Sequence, residues 1–285
     1  MKKIAMLGTG AYGLGVSIAL LKKNESITMW VESEERAKFL NNNKKNANIL
    51  PNIEIPKNIT FTNDLNEVIS NTNIVFIAVA AKFIDSVAKD LSKLNIKNKH
   101  FCILSKGIEQ NTCEFVIDVF KRYVKTKNVS VISGPSFAID MAKGEPVGLT
   151  IASKNNKTIS AIKRVLASDT VKLRTSNDII GVELCGSIKN VIAIASGILE
   201  GLGYTESTRS FLITESLHDI KSLIYGLGGK KKTILSYAGV GDLLLTATSS
   251  KSRNYTYGIL IGKKNYTMAE DYLKNNTVEG YYTLK

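Results

Sequence analysis

The stretch "KIAMLGTGAYG" (3–13) decides the fold, because it joins a short apolar run to a glycine-rich turn and then to a helix-forming segment. In a strand–turn–helix unit, the first glycine of a GxGxxG pattern permits a tight turn. The second lets a pyrophosphate approach the backbone, and the third lets the helix pack closely on the strand. The phosphate lies against the free N–H groups at the start of the helix. The pattern therefore predicts a dinucleotide site, which comprises Gly8, Gly10, Ala11, Tyr12 and Gly13.

The segments that follow predict how the rest of the chain is organised. Continuous apolar runs, typical of strands buried on both faces of a parallel sheet, occur at 26–31, 72–80, 100–107 and 129–134, with further strands at 149–153 and 171–176. After about residue 178, the segments 178–200, 206–227 and 230–246 predict long helices. We therefore expect an α/β protein. A Rossmann-like, doubly wound, mostly parallel sheet forms a dinucleotide-binding domain in 1–178, and an all-helical substrate domain spans 179–285.

The composition limits the classes of partner. The net charge is +13, but the lysines are scattered among asparagines, as in "NNNKKNAN" (41–48), without an arginine and aromatic stripe. We expect no nucleic-acid partner, only a positive field that attracts phosphorylated anions. The three cysteines are odd in number and form no CxxC pair, which favours a reducing cytoplasm. No run approaches the roughly 18 apolar residues of a membrane span, so we expect no integral membrane segment, and we predict no metal.

A carboxylate follows the second predicted strand. Glu32 falls about 20 residues after the glycine loop, where an acidic side chain accepts hydrogen bonds from the adenosine ribose. A carboxylate there repels a 2′-phosphate, which favours NAD(H) over NADP(H). The alternative is that Glu32 is only a solvated loop residue, and that Arg36 holds a phosphate.

A lysine heads the apolar run "GSIKNVIAIASGI" (186–198) in a segment that reads as a buried helix. A buried lysine must be paired, be neutralised or face a ligand, unless its amine reaches the surface. Asp242 and Thr246 are four residues apart in "GVGDLLLT" (239–246), and Asp242 could pair with Lys189. In "SRN" (252–254), Arg253 suits a phosphate.

Two turns follow predicted strands at the carboxyl edge of the sheet, where ligands of such folds bind. "SKG" (105–107) carries Lys106, and "GPSFA" (134–138) carries Ser136 in a constrained turn that could present N–H groups to an anion. Each could also be ordinary turn chemistry.

Seven motifs between residues 8 and 281 together resemble the bacterial NAD(P)-dependent glycerol-3-phosphate dehydrogenase family. They are "GTGAYG", "SKG", "GPSFA", "GVELCGSIKNVIAIASGI", "GVGDLLLT", "SRNYTYG" and "VEGY", in the family's order and spacing. The resemblance implies a cytoplasmic oxidoreductase. It would transfer hydride reversibly from NAD(P)H to C2 of dihydroxyacetone phosphate and give sn-glycerol 3-phosphate for glycerophospholipid synthesis.

The resemblance also implies roles for residues. Lys189 would donate the proton to the carbonyl oxygen in reduction and accept it in oxidation. Asp242 would hold Lys189, with support from Asn190 and Thr246, and Lys106 would contact both substrate and cofactor. Further substrate-binding residues would be Gly134, Ser136, Ser252, Arg253 and Asn254. Further cofactor-binding residues would be Ala138, Arg253, Val278 and Glu279.

The chain departs from the family pattern at two places. Members usually continue beyond "VEGYYTLK" (278–285), so we expect the last helices of the helical domain to be missing. Members also often carry Arg or His where this chain has Val31 and Glu32. Two alternatives stay open: a catalytically impaired dinucleotide-binding module, and another ketone or hydroxyacid reductase of similar architecture. Arg253 and Lys106 argue against the second, because they suit a phosphate. The sequence leaves the oligomeric state open, a homodimer included.

Overall fold

The computed structural model describes residues 3–44, 49–50, 52–110 and 112–284. The chain forms two compact units. The first comprises Met1–Ser105, Val116–Ile132 and Ser136–Asn177, and the second comprises Lys106–Phe115, Ser133–Pro135 and Asp178–Lys285. The sequence placed a single boundary between residues 178 and 179, whereas two short earlier segments group with the second unit. They do so because Lys106 and Ser133 hydrogen-bond to Asp242.

The first unit is built on an eight-stranded sheet, which confirms the predicted fold class. Its strands are β1 (Ile4–Leu7), β2 (Ile27–Trp30), β3 (Ile59–Thr62), β4 (Ile74–Ile77), β5 (His100–Ile103), β6 (Val129–Ser133), β7 (Val147–Ala152) and β8 (Val171–Ser176). They lie in the order β3-β2-β1-β4-β5-β6-β7-β8. The pairs β1–β2, β1–β4, β2–β3, β4–β5, β5–β6 and β7–β8 are parallel. The chain reverses its direction across the sheet between β1 and β4, and ligands of doubly wound folds bind at this switch point.

Seven helices flank the strands in sequence: α1 (Ala11–Leu20), α2 (Glu34–Asn42), α3 (Leu65–Ser70), α4 (Ile84–Ser92), α5 (Val116–Tyr123), α6 (Ala138–Lys143) and α7 (Asn156–Leu166). Helix α1 packs against α6 and α7, and α4 packs against α5. Every residue of β1 and β4 is buried, as expected of continuous apolar strands covered on both faces.

The second unit is helical in the part that the structure describes, with α8 (Ile179–Gly201), α9 (Glu206–Gly226), α10 (Asp242–Ala247), α11 (Arg253–Gly262), α12 (Tyr266–Asn275) and α13 (Glu279–Thr283). Helix α8 lies at its centre and contacts α9, α10, α11 and α13. Its buried face includes Cys185, Lys189 and Ala193. One helix therefore carries both the core of this unit and the lysine singled out in the sequence.

The predicted continuous helix over 230–246 is wrong. The segment forms a 3-10 turn at Lys231–Leu235, a π-type turn at Tyr237–Gly241 and then α10. Ser236 has extended backbone and Gly239 has φ −84° and ψ −108°, so neither can continue a helix. This break sets the direction in which Asp242, the first residue of α10, enters the unit.

Helix α8 is long and apolar enough to cross a membrane by length and composition, with a mean hydropathy of 1.5 over its most apolar window. From the sequence we expected no membrane-spanning segment, because its apolar runs are short. However, 72% of that window is buried inside the protein, as in the core helix of a globular unit.

Helices α8 and α11 approach each other through glycines. A Cβ on Gly197 would overlap the carbonyl oxygen of Tyr255, and a Cβ on Gly258 would overlap the carbonyl oxygen of Ile194. The backbones are therefore too close for any side chain at these positions. The crossing also fixes the start of α11, where Asn254 lies.

We expect Gly197→Ala to lower the free energy of unfolding by about 1–3 kcal/mol, because the added methyl group overpacks a closed backbone contact. Urea denaturation followed by circular dichroism measures this. Gly226→Ala is the matched control, since a Cβ there meets nothing within 4 Å and alanine favours the helix. Equal stability of the two variants would contradict the close crossing.

Candidate functional site

The glycine loop has the geometry predicted from its sequence. Gly8 follows β1 and has φ +103°, a conformation that favours glycine. A Cβ on Gly8 would lie 3.0 Å from the carbonyl carbon and oxygen of Ala78, which follows β4, so the loop lies at the switch point of the sheet. A Cβ on Gly13 would lie 2.8 Å from the carbonyl oxygen of Gly8, so α1 can pack this closely only with glycine there.

The start of α1 offers room and donors for an anion. A Cβ on Gly10 would meet nothing within 4 Å. Gly10 caps α1 without a side-chain hydrogen bond, and the first turn of α1 contains no acidic residue. The N-terminal N–H groups and the helix dipole therefore favour a negatively charged ligand. This arrangement fits the pyrophosphate of a dinucleotide.

Tyr12 connects the glycine loop to a second predicted motif. Its hydroxyl forms a hydrogen bond of 2.8 Å with the hydroxyl of Ser136, in the "GPSFA" turn. Ala138 begins α6, and a Cβ on Gly15 of α1 would overlap its carbonyl oxygen. The first unit thus brings together Tyr12, Ser136 and Ala138, which the sequence assigned to cofactor and substrate.

Glu32 lies just after β2 and its side chain is exposed. Ser33 caps α2 by accepting a hydrogen bond from the backbone N–H of Arg36, which fixes the turn that carries Glu32. The carboxylate is therefore accessible at the end of the strand next to β1. This position fits contact with the adenosine ribose.

Lys189 is buried in α8 with 7% of its surface exposed, so the alternative in which its amine reaches the surface is wrong. Its Nζ donates to Oδ1 of Asp242 at 2.6 Å and to Oγ1 of Thr246 at 2.9 Å. The predicted pairing with Asp242 is therefore present. Thr246 Oγ1 in turn donates to the carbonyl oxygen of Asp242, one helical turn earlier, at 2.6 Å.

The carboxylate of Asp242 joins two lysines. Its Oδ2 accepts a hydrogen bond from Lys106 Nζ at 2.7 Å and one from Ser133 Oγ at 3.1 Å. Asp242 is 2% exposed. The carboxylate of Asp242 therefore bridges two cations.

The sequence did not single out Ser133. It immediately precedes the "GPSFA" motif and ends β6. Its position at the carboxyl end of a buried strand could have marked it as a candidate site residue, because polar side chains at that edge face ligand sites in this fold class.

Burial and the neighbouring charged groups have opposing effects on the pKa of Lys189. Burial lowers the pKa of Lys189 from 10.5 to about 8; Asp242 acts to raise it, and Lys106 adds to the lowering. Burial acts to raise the pKa of Asp242, but the neighbouring Lys106 and Lys189 outweigh burial and hold it below 3.8. Asp242 therefore remains a carboxylate, while Lys189 can exchange a proton near neutral pH.

An amide network lies beside this cluster. Asn190 Nδ2 donates to Glu279 Oε2 at 3.1 Å, and Asn254 Nδ2 donates to Asn190 Oδ1 at 3.1 Å. The backbone N–H of Gly280 donates to Asn254 Oδ1 at 2.8 Å. The network ties the starts of α11 and α13 to the residue next to Lys189. Val278, which precedes α13, is fully buried.

The remaining predicted residues lie at turns of the second unit. Ser252 is buried and caps α11 by accepting a hydrogen bond from the N–H of Tyr255. Arg253 follows it at the helix start and is exposed. Gly134 follows Ser133 and is buried. In the described residues, no group of three or more His, Cys, Asp or Glu side chains could hold a metal.

A doubly wound sheet with a glycine loop at its switch point, and a helical unit with a buried lysine–aspartate pair, define a dinucleotide-dependent oxidoreductase of two units. The sequence profile of the N-terminal part of NAD-dependent glycerol-3-phosphate dehydrogenase matches residues 3–159, and that of the C-terminal part matches residues 178–285. The chain therefore belongs to the NAD-dependent glycerol-3-phosphate dehydrogenase family.

Individual relatives agree with this assignment. A glycerol-3-phosphate dehydrogenase (NAD(P)+) of Fusobacterium nucleatum is 36% identical over 288 residues, which cover all of this chain and 86% of the relative. One of a Thermoanaerobacter species is 36% identical over 285 residues, 99% of this chain and 85% of the relative. The crystal structure of the Coxiella burnetii glycerol-3-phosphate dehydrogenase superposes with a TM-score of 0.91 at 29% identity. It covers 99% of this chain and 86% of that one. The resemblance seen in the sequence is confirmed, and the alternative reductases are not supported.

We expect Lys189 to titrate with a pKa of about 8 and surface lysines near 10.4. Labelling with acetic anhydride across a pH series, read by mass spectrometry, measures each amine separately. In Asp242→Asn the pKa of Lys189 should fall further, because the nearest negative charge is removed.

Asp90→Asn serves as the control, because Asp90 pairs with Lys93 on the surface of the first unit. It should leave the pKa of Lys189 unchanged. A pKa of Lys189 near 10 in the unmodified chain would contradict the prediction, because it would mean that Asp242 fully offsets the effect of burial.

Proposed function

We propose that this chain catalyses reversible hydride transfer between NAD(P)H and C2 of dihydroxyacetone phosphate, giving sn-glycerol 3-phosphate. The observation that carries the proposal is the buried Lys189–Asp242 pair, in a chain that matches both parts of the dehydrogenase family. A ketone that receives a hydride develops negative charge on its oxygen. A cationic donor held at that oxygen therefore lowers the barrier.

Lys189 is the proposed proton donor. An ammonium group has three N–H donors, and two of them point to Asp242 and Thr246. The third is available for the carbonyl oxygen of the substrate. With a pKa of about 8, the amine can give a proton in reduction and take it back in oxidation.

Asp242 and Lys106 complete the proposed catalytic group. Asp242 orients Lys189 and keeps it charged enough to donate, while Thr246 fixes the other side of the amine. Lys106 is the more exposed lysine, with 14% of its side chain accessible. It can therefore contact substrate and cofactor.

Arg253 is the proposed partner of the substrate phosphate. It is exposed and stands at the start of α11, where its guanidinium and the helix N-terminus both favour an anion. Ser252 and Asn254 flank it, and Gly134 and Ser136 are the other proposed substrate contacts. Since Asn254 and Asn190 hold each other, the same network supports Arg253 and Lys189.

The proposed cofactor site uses the glycine loop. Gly8, Gly10, Ala11, Tyr12 and Gly13 would hold the pyrophosphate, and Glu32 the adenosine ribose. Ala138, Val278, Glu279, Lys106 and Arg253 are the other proposed contacts. The reduced nicotinamide, when bound, supplies the hydride. The free cysteines Cys102, Cys113 and Cys185 support a reducing cytoplasm as the place of the reaction.

We expect the chain to oxidise NADH, or NADPH, only when dihydroxyacetone phosphate is present, measured as loss of absorbance. Lys189→Met keeps the length of the stem but removes the amine. It should lower kcat by about 10²- to 10⁴-fold, the usual contribution of a general acid. NADH fluorescence titration should show nearly unchanged cofactor affinity.

Lys99→Met is the matched control. Lys99 is also a buried lysine with a hydrogen bond, to the carbonyl oxygen of Thr72, but it belongs to the first unit and has no part in the proposed chemistry. It should retain kcat per folded molecule. Cofactor binding without substrate-dependent oxidation in the unmodified chain would favour the binding-module alternative.

We expect the unmodified chain to prefer NADH, and Glu32→Arg to raise the ratio of kcat/KM for NADPH over NADH by about tenfold or more, equal to ~1.4 kcal/mol. An arginine replaces repulsion of the 2′-phosphate with attraction. Glu35→Arg makes the same change of charge at an exposed position in the first turn of α2. If both variants change the ratio equally, Glu32 does not face the ribose.

A further inference from the structure

Ser133 is a buried hydroxyl in contact with the charged group on which the proposed chemistry depends. It is 3% exposed, and its Oγ donates to Oδ2 of Asp242 at 3.1 Å. Lys106 donates to the same oxygen, while Lys189 bonds the other one. The two oxygens of the carboxylate therefore have separate partners.

Helix α8 makes room for this hydroxyl. A Cβ on Gly186 would lie 3.0 Å from Ser133 Oγ and 3.7 Å from Cγ of Lys106. Gly186 is three residues before Lys189, on the same face of the helix. The space that a side chain at position 186 would need is thus occupied by the serine hydroxyl and the stem of Lys106.

The neutral hydroxyl of Ser133 holds the carboxylate of Asp242 more rigidly than the long side chain of Lys106 can. Lys106 has a long side chain, 14% of which is accessible. In the proposed reaction it also contacts substrate, so its bond to Asp242 can change during turnover. Ser133 lies at the end of β6, and its short side chain has one rotatable bond to its oxygen. The serine can therefore hold Oδ2 while Lys106 moves.

We propose that Ser133 is a positioning residue, which holds Oδ2 of Asp242 so that Oδ1 stays directed at Lys189. This inference rests on the proposed function, since it assigns Ser133 a task in preparing the proton donor. It adds a residue from the strand end to a group otherwise formed by α8, α10 and the segment after β5.

The direction of the effect on Lys189 follows from charge. The charged groups that act on Lys189 are Asp242, Lys106 and Glu279, and substituting Ser133 changes none of them. Asp242 supports the charged form of Lys189 because its Oδ1 lies 2.6 Å from Nζ. Without Ser133 the carboxylate can turn away from the amine, which weakens that support and lowers the pKa of Lys189.

The test is Ser133→Ala, compared with Ser130→Ala in the same strand. Ser130 is also buried, and its hydroxyl donates to the carbonyl oxygen of Phe101 at 3.2 Å. Each variant therefore loses one buried serine hydrogen bond, but only one loses the bond to Asp242. Labelling with acetic anhydride gives the pKa of Lys189 in each. We expect Ser133→Ala to lower it by roughly half a pH unit or more, and Ser130→Ala to leave it unchanged.

The pH dependence of kcat/KM provides the functional readout. Reduction needs protonated Lys189, so its loss of rate at alkaline pH should move to lower pH in Ser133→Ala. Oxidation needs the neutral amine, so the pH at which its rate rises should move in the same direction. A merely structural serine would lower the amount of active protein and leave both midpoints in place.

Gly186→Ala provides a second approach from the opposite side. It favours the helix, but its methyl group would crowd Ser133 Oγ, so the same lowering of the Lys189 pKa is expected without a loss of helix stability. If the pKa of Lys189 is the same in Ser133→Ala, Ser130→Ala and the unmodified chain, the inference is overturned. Labelling needs no turnover, so an inactive unmodified chain would count against the proposed function while leaving this comparison decisive.

Discussion

The buried carboxylate of Asp242 is the constraint around which the second unit is arranged. An ionised group taken out of water is costly unless it is paired and hydrogen-bonded, and Asp242 is 2% exposed. Lys106, Lys189 and Ser133 supply its donors. They come from a strand end, from the segment after another strand and from α8. Segments far apart in sequence must therefore meet at one carboxylate, which is why two short pieces before residue 178 belong to the helical unit.

Meeting at that carboxylate requires accurate placement of helices. Gly197 and Gly258 let α8 and α11 touch backbone to backbone, which fixes Asn254 against Asn190. The non-helical backbone of Gly239 interrupts the helical conformation shortly before Asp242. Asp242 therefore begins a new helix, and its position is set by that break and by the bond from Thr246 to its carbonyl oxygen.

The elements that the sequence predicted well are those with local signals. β1 and β4 follow from apolar runs, and the glycine loop follows from its spacing, because its glycines meet local steric requirements. The pairing of Lys189 with Asp242 could be predicted because a buried lysine needs a carboxylate. The break at 230–246 was missed, since the apolar spacing of that segment resembles a helix and only tertiary packing selects the π-type turn.

The contact of Ser133 with Asp242 and that of Asn190 with Glu279 could not be predicted from the sequence, for a different reason. The first joins residues 109 positions apart and the second residues 89 positions apart. Short polar side chains can bond to many partners, so their type does not specify which one. A buried charge restricts its partners strongly, whereas a buried hydroxyl or amide does so weakly, and the predictions succeeded and failed along that division.

The balance at Lys189 explains how one residue could serve both directions of a redox reaction. Buried lysines without compensation can have a pKa of about 5–6, and exposed ones titrate near 10.4. Either extreme would leave the amine nearly always neutral or nearly always charged at neutral pH. Burial lowers the pKa of Lys189 and Asp242 limits the fall, which brings it to about 8. Both protonation states are then populated close to neutral pH, as acid–base catalysis in two directions requires.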